Sequence, residues 1–173
     1  MKQLSDFILV ENIIPKELCE TVISEMEDSS GWQQHVWYGG DSKDKSKELD
    51  ILYSDLMTVF NPIVKQGLNL YIKTNGNVAS LWGPIRLNKY SVGKQMAVHS
   101  DLIKSHPEDG IPTLSFVGIL NDNYSGGDFI MFDDMKIVLK QGDILIFPST
   151  FLYPHKVTEV TKGTRYSFVT WIY

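Results

Sequence analysis

Short runs of β-branched and aromatic residues divide the second half of the chain, and this pattern constrains the fold more than any other feature. Between residue 84 and the end we predict eight strands separated by Gly, Pro, Asn and Asp, at 84–91, 95–101, 112–120, 128–132, 135–140, 143–147, 154–160 and 164–172. Eight short strands with turn signals indicate an antiparallel sandwich or barrel. We therefore predict a mainly β (α+β) fold, a jelly roll or double-stranded β-helix of about eight strands.

The first half of the chain has the spacing of helices. Residues 15–27 carry apolar side chains four apart, and Pro15 stands near the first turn, where a proline is tolerated. A second helix is predicted over 48–72, with Pro62 kinking or interrupting it. We expect both helices to pack against the outer face of one sheet.

No linker, repeat or low-complexity tract divides the chain. We therefore predict one domain over 1–173, in which 1–83 give helical support and 84–173 form the jelly-roll core. Two loops, at 31–47 and 102–112, are candidate lids, although an ordinary surface loop is an equally good interpretation of each.

The composition is that of a soluble globular protein, with 43% hydrophobic and 21% charged residues. The net charge is −5 and the basic residues are scattered, so we expect no nucleic-acid partner. We also expect no membrane span, because no apolar run reaches the roughly 18 to 20 residues that one needs. The one cysteine, Cys19, excludes an internal disulfide and is predicted to pack in the first helix. These features, with a start unlike a secretory signal, indicate a cytoplasmic protein.

A histidine and an aspartate stand two residues apart at the end of the predicted strand 95–101. Because strand side chains alternate in direction, His99 and Asp101 project to the same face and can reach one ion. A histidine and a carboxylate at this spacing, completed by a distant histidine, form the ligand set of non-haem iron(II) oxygenases. The pair alone is a weak signal, and a surface or turn role for both residues stays open.

Three other histidines could supply the third ligand. His35 and His106 fall in predicted loops, where a solvated ring is the simpler interpretation. His155 opens the predicted strand 154–160, which could run beside the strand of His99 in a jelly roll. His155 is therefore the candidate third ligand.

A cation follows on the last predicted strand. Arg165 lies ten residues after His155, and strand alternation places it on one face with Ser167 and Val169. If that face points into the barrel, Arg165 is a buried cation that can bind a carboxylate through two parallel hydrogen bonds. Ser167 could add a hydroxyl donor to that carboxylate. A structural ion pair for Arg165 and an ordinary strand serine at 167 remain alternatives.

Four segments share a specific order and spacing, although each alone is weak. They are Tyr90-x-Val92-Gly93-x-Gln95 leading to His99-x-Asp101, Tyr124-Ser125-Gly126-Gly127-Asp128-Phe129, Gly142-Asp143-Ile144-Leu145-Ile146-Phe147, and His155-Lys156-Val157 through Gly163-x-Arg165 to Trp171. Together they resemble the prolyl 4-hydroxylase branch of the 2-oxoglutarate/iron(II)-dependent oxygenases, over about residues 84–173.

The resemblance implies a role for most of the residues above. His99, Asp101 and His155 would be the iron(II) ligands, and Arg165 would bind the distal carboxylate of 2-oxoglutarate. Collagen-modifying members have Lys where this chain has Arg165, whereas the oxygen-sensing members and many microbial relatives have Arg. An arginine at this position therefore still implies 2-oxoglutarate as the cosubstrate.

Two aromatic residues complete the implied pocket. Tyr90 would hydrogen-bond in the cosubstrate or substrate pocket, and Trp171 would form its wall near the substrate. Core packing is the alternative interpretation of both side chains.

The activity that the resemblance implies is that of a dioxygenase. It would use iron(II), 2-oxoglutarate and molecular oxygen, with ascorbate as a candidate reductant, release succinate and carbon dioxide, and hydroxylate a C–H bond of a prolyl residue in a peptide or protein. The substrate loops are not recognisable, so a free amino acid or other small molecule is one alternative, with Arg86 and Lys89 as candidate partners for its charges. A non-catalytic metal- or sugar-binding jelly roll is another, although it gives no reason for Arg165.

Overall fold

The computed structural model describes residues 1–36, 45–53, 57–76, 81–102 and 110–173. In chain order its elements are a 3-10 helix (Leu4–Phe7), β1 (Leu9–Asn12), α1 (Lys16–Asp28), β2 (Gln33–Gln34), a 3-10 turn (Lys45–Lys47), β3 (Asp50–Tyr53), α2 (Met57–Asn75), β4 (Arg86–Tyr90), β5 (Met96–His99), β6 (Leu114–Ile119), β7 (Ser125–Gly126), β8 (Phe129–Met131), β9 (Met135–Ile137), β10 (Asp143–Pro148), β11 (His155–Val157), β12 (Val160–Lys162) and β13 (Arg165–Ile172). None of these helices is long and apolar enough to cross a membrane.

Two antiparallel sheets form the body of the fold. The large sheet has the strand order β1-β10-β6-β13-β4-β3-β2, and the small sheet has the order β5-β11-β8-β9. A short pair, β7 with β12, lies apart from both. Each of the eight strands predicted from the sequence has an observed counterpart, so the mainly β jelly-roll prediction is confirmed.

The central strands of the large sheet are buried on both faces because each face meets a different apolar layer. On the outer face, Phe116 and Phe168 pack with side chains of α1 and α2 such as Val22 and Phe60. On the inner face, residues such as Val169 pack toward the small sheet. The predicted position of the helices, on the outer face of one sheet, is therefore confirmed.

Close packing of α2 on this sheet depends on a glycine. A Cβ added at Gly67 would lie 2.6 Å from the side chains of both Ile144 and Phe116. Because well-packed cores do not absorb such an overlap without strain, Gly67 allows the helix to approach the sheet closely.

The prediction of a helix over 48–72 was wrong at its start. Residues 50–53 form β3 and pair with β4. Their side chains alternate, since Ile51 packs toward the inner cluster and Leu52 toward the outer one, which is a strand pattern. The helix begins at Met57 and continues through Pro62 to Asn75, so the proline does not interrupt it.

Parts of both candidate lids lie outside the described residues. In the loop 31–47 these are residues 37–44, and in the loop 102–112 they are 103–109, which include His106.

Candidate functional site

Pairing of β5 with β11 brings the predicted metal ligands together. His99 and His155 are direct partners across these strands, and Asp101 follows β5 by two residues. Asp101 Oδ1 lies 3.3 Å from His99 Nε2 and 3.8 Å from His155 Nε2. One candidate ligand atom from each of the three residues therefore lies within 4.8 Å of the others, close enough to share an ion.

Backbone carbonyls orient both imidazole rings. His99 Nδ1 lies 2.8 Å from the carbonyl oxygen of Ala97, and His155 Nδ1 lies 3.0 Å from that of Tyr153. A nitrogen that faces a carbonyl oxygen carries a proton, so Nε2, on the side of Asp101, is the ring nitrogen that each histidine can offer to a metal.

Two buried serines hold the carboxylate. Ser115 Oγ donates to Asp101 Oδ2 at 2.6 Å, and Ser115 Oγ and Ser149 Oγ are 2.8 Å apart and hydrogen-bonded. Both serines are fully buried. The other carboxylate oxygen, Oδ1, faces the histidines, so Asp101 is fixed in a position to act as a ligand.

The electrostatics of the cluster favour the ligand forms. Burial alone would raise the pKa of Asp101, but attraction to His155, the hydrogen bond and charge of His99 and the bond from Ser115 together bring that pKa below its usual range. Burial, with repulsion from His99, lowers the pKa of His155 to about 4 against the opposing pull of Asp101. At neutral pH the carboxylate is therefore ionised and the His155 imidazole is neutral, as metal binding needs.

Arg165 is a buried cation at the inner face of β13. It is 1% exposed, and its Nη1 donates to Ser167 Oγ at 2.9 Å. Its guanidinium carbon lies 5.0 Å from the ring centroid of Tyr90, its partner on β4. Within the described chain, no carboxylate lies within 4.0 Å of Arg165 and its buried Nε has no acceptor. A structural ion pair is therefore not seen there.

Tyr90 is equally buried beside this cation. Burial raises the pKa of its hydroxyl, and the positive charges of Arg165 and Arg86 offset only part of that rise. The hydroxyl therefore stays protonated at neutral pH and can donate a hydrogen bond.

Trp171 lies further along the same face of β13, half-buried. The guanidinium carbon of Arg86 lies 4.9 Å from its ring centroid. Lys89, the other cation named for a small-molecule substrate, instead lies over the ring of Trp32, with 5.4 Å from Nζ to its centroid. Strand alternation explains the difference, because positions 86 and 89 of β4 face opposite sides of the sheet.

One pocket between the sheets contains all seven predicted site residues. Its lining comprises Arg86, Asn88, Tyr90, Met96, His99, Asp101, Val117, Phe129, His155, Val157, Arg165, Ser167, Val169 and Trp171. The three candidate metal ligands lie on the small sheet and the loop that follows β5, whereas Arg165 lies on the large sheet.

Sequence reasoning missed three polar residues and misjudged one histidine. The sequence analysis did not predict a site role for Ser115, Ser149 or Asn88. The one signal for Ser115 was that a polar residue stands within an apolar strand. The prediction of a solvated ring at His35 was wrong, because it is buried with Nδ1 3.9 Å from Glu48 Oε2.

Comparison with known proteins agrees with this geometry. A model of the 2OG-Fe(II) oxygenase superfamily matches residues 85–173, about half of the chain. The chain therefore belongs to that superfamily.

A prolyl hydroxylase-like resemblance within the superfamily is also confirmed. A PKHD-type hydroxylase from Prochlorococcus marinus is 32% identical over 136 residues, which cover 75% of this chain and 56% of that protein. The chain spans about half the length of the curated relatives that it matches first.

Two solved structures share the fold at low identity. A prolyl-4-hydroxylase from Pseudomonas putida has a TM-score of 0.71 at 17% identity, covering 95% of this chain and 91% of its own. A prolyl hydroxylase from Trichoplax adhaerens, in complex with a hypoxia inducible factor peptide fragment, has a TM-score of 0.71 at 14% identity, covering 98% and 84%. This chain therefore shares its double-stranded β-helix fold with both proteins.

Proposed function

We propose that this protein is a single-domain dioxygenase that uses iron(II), 2-oxoglutarate and oxygen to hydroxylate a prolyl residue in a peptide or protein. Succinate and carbon dioxide would be the other products, and ascorbate a reductant that keeps the iron ferrous. One observation supports the proposal more than any other. A fully buried arginine without a carboxylate partner in the described chain faces the same pocket as two histidines and an aspartate.

The three candidate ligands fit iron(II). Two imidazoles and one carboxylate are the donor set of the non-haem iron oxygenases, and three ligands leave coordination positions for a chelating cosubstrate and oxygen. His99, Asp101 and His155 are each also held in orientation by a hydrogen bond to an atom that does not face the proposed metal, which is the arrangement expected of metal ligands.

Arg165 fits the distal carboxylate of 2-oxoglutarate. A buried guanidinium without an anion is costly, and a carboxylate would satisfy both its charge and its unpaired Nε. Ser167 and the Tyr90 hydroxyl would add donors beside it, since both line the pocket. When bound, the metal and 2-oxoglutarate would supply oxygen activation and transfer of one oxygen atom to the substrate.

The chain's own residues would position the substrate and exclude water. Apolar side chains such as Val169 and Phe129 line the same pocket as the metal ligands and Arg165, and would exclude water from it. The half-buried indole of Trp171 offers a flat wall against which a proline ring could present one C–H bond.

The prolyl substrate is supported by relatives and by this wall. Both structural neighbours described above are prolyl hydroxylases, and one holds a peptide. A free amino acid is the second candidate, and one observation favours it: Arg86 lies in the pocket, where it could meet a charged group.

An assay of succinate formation tests the proposal. Protein with iron(II), 2-oxoglutarate and ascorbate is incubated with proline-containing peptides or with free amino acids, and products are read by mass spectrometry. The proposal predicts a gain of one oxygen atom on proline, with matching succinate, lost in Asp101→Ala. Hydroxylation of free amino acids alone would favour the second candidate, and no succinate under any condition would contradict the oxygenase assignment.

A further inference from the structure

Arg86 is a second cation in the pocket, and the proposed iron(II) and 2-oxoglutarate do not account for it. It lies four residues before Tyr90 on β4, so strand spacing puts their Cα atoms about 13 Å apart. Arg165 packs on the ring of Tyr90 at one end of this face, and Arg86 packs on the ring of Trp171 at the other. The pocket thus has two separate cationic positions.

Arg86 is held in place but not neutralised. Its Nε donates to Asn88 Oδ1 at 3.2 Å, and its guanidinium carbon lies 4.9 Å from the centre of the Trp171 ring. The described chain places no carboxylate within 4.0 Å of it and gives its two terminal nitrogens no acceptor. Arg86 is half-buried, whereas Arg165 is fully buried, so the Arg86 end is the one open to a substrate.

The charged side chains that line the pocket sum to one net positive charge. Its described lining holds two arginines and one carboxylate, that of Asp101. The two positive charges of iron(II) and the two negative charges of 2-oxoglutarate cancel, so the excess remains after both have bound. A partly desolvated cation is stabilised by an anion, and a guanidinium on a ring face is preorganised to bind a carboxylate with two parallel hydrogen bonds.

We propose that Arg86 binds a carboxylate of the substrate, and that this protein prefers substrates that carry one beside the hydroxylated carbon. The inference rests on the proposed function and narrows its substrate class. The carboxylate could come from an acidic side chain next to proline in a peptide, or from the α-carboxylate of a terminal or free proline. A neutral prolyl peptide would leave Arg86 without an anion.

Matched substrates and variants test this proposal. Two pairs differ by one carboxylate: a peptide with Glu beside an internal proline against the same peptide with Gln, and proline against prolinamide. Binding is measured by anaerobic calorimetry on protein loaded with Mn(II) and 2-oxoglutarate, and KM and kcat with iron(II). The variants are Arg86→Gln and Arg86→Lys. The control is Lys89→Gln, which removes a cation from an indole ring on the same strand but on the other face.

We expect the wild-type protein to bind the carboxylate member of one pair about tenfold to a hundredfold more tightly than its amide partner. Arg86→Gln should abolish this difference through KM rather than kcat, Arg86→Lys should keep part of it, and Lys89→Gln should keep all of it. The pair that shows the preference identifies the source of the carboxylate.

Several results would overturn the inference. They are no preference in either pair, an unchanged preference in Arg86→Gln, equal weakening of both members of a pair, and a loss of 2-oxoglutarate affinity in Arg86→Gln. Failure of the proposed function has a different signature, because the wild-type protein would then neither bind 2-oxoglutarate nor form succinate.

Discussion

The two faces of strand β13 differ in what they bury. On the outer face, Tyr166, Phe168 and Ile172 belong to an apolar cluster shared with both helices. On the inner face, Arg165 and Ser167 are buried just as completely, yet both are polar. One strand therefore contributes to stability on one side and supplies the candidate site on the other.

Burial on the two faces has different physical costs. Apolar side chains on the outer face gain stability directly, at about 25 cal/mol per Å² removed from water. A buried guanidinium or carboxylate gains nothing comparable unless it is paired, so the inner face retains polar groups at a cost to stability. This contrast predicts that outer-face substitutions change the free energy of unfolding, whereas inner-face substitutions change ligand binding.

The largest expected effect is in the pocket that the inner face of β13 lines, at a residue of the small sheet. His99→Ala should abolish metal binding and 2-oxoglutarate turnover, because a two-ligand site no longer holds the ion. The near-UV circular dichroism should stay close to that of the wild-type protein. Metal content after dialysis and succinate formation measure the loss, and normal turnover in this variant would refute the metal assignment.

The matching change on the outer face is Phe168→Ala. Phe168 is fully buried, with ring centroids 4.0 Å from Phe60 and 6.0 Å from Phe116. Deleting such a ring costs about 3–5 kcal/mol of stability through lost transfer energy and a cavity. Urea unfolding should show this loss, while 2-oxoglutarate affinity of the folded variant stays within about twofold of wild type. A stability change under 1 kcal/mol would contradict the packing account.

A smaller effect on metal binding is expected for the two serines that hold the Asp101 carboxylate. Ser115→Ala removes the hydrogen bond to Asp101 Oδ2 and should weaken metal binding about tenfold to a hundredfold. Ser149→Ala is the graded control, because Ser149 reaches Asp101 only through Ser115 and should have a weaker effect. Competition with a chelator measures both, and equal metal affinity in all three proteins would show that the serines only fill space.

The smallest expected effect concerns Cys19 in the outer layer. Burial raises the pKa of its thiol to about 11, against weaker lowering by backbone hydrogen bonds. Because the thiolate is the reactive form, only about a thousandth of the thiol is ionised at pH 8, and it is also shielded from reagents. A thiol reagent should therefore label the native protein very slowly and the urea-unfolded protein at once. Rapid native labelling would mean that α1 opens readily.

Sequence reasoning succeeded where structure depends on local patterns. Alternating apolar residues and turn signals predicted all eight jelly-roll strands. The two-residue spacing of His99 and Asp101 predicted that they share a face. Strand alternation likewise predicted that Arg165 and Ser167 lie together, as their hydrogen bond shows.

Features that depend on distant pairing were missed. Strand β1 is an edge strand that exists because Leu9 pairs with Ile146, far along the chain. Ser115 reaches Asp101 only after β6 has been placed beside β10 and β13, so nothing near it in the sequence reveals its role. Lys89 is the opposite case, because the sequence analysis named it as a candidate substrate partner although its alternation with Tyr90 on β4 places it on the other face of the sheet.

The central claim is that Arg165 holds 2-oxoglutarate while the His-Asp-His cluster holds the metal. Calorimetric titration of 2-oxoglutarate into protein loaded with Mn(II), without oxygen, tests it most directly in wild type, Arg165→Ala and Arg165→Lys. We predict that Arg165→Ala weakens 2-oxoglutarate binding about tenfold to a hundredfold with Mn(II) affinity unchanged, and that Arg165→Lys retains part of the affinity. Unchanged 2-oxoglutarate affinity in Arg165→Ala would contradict the claim and make Arg165 a structural residue.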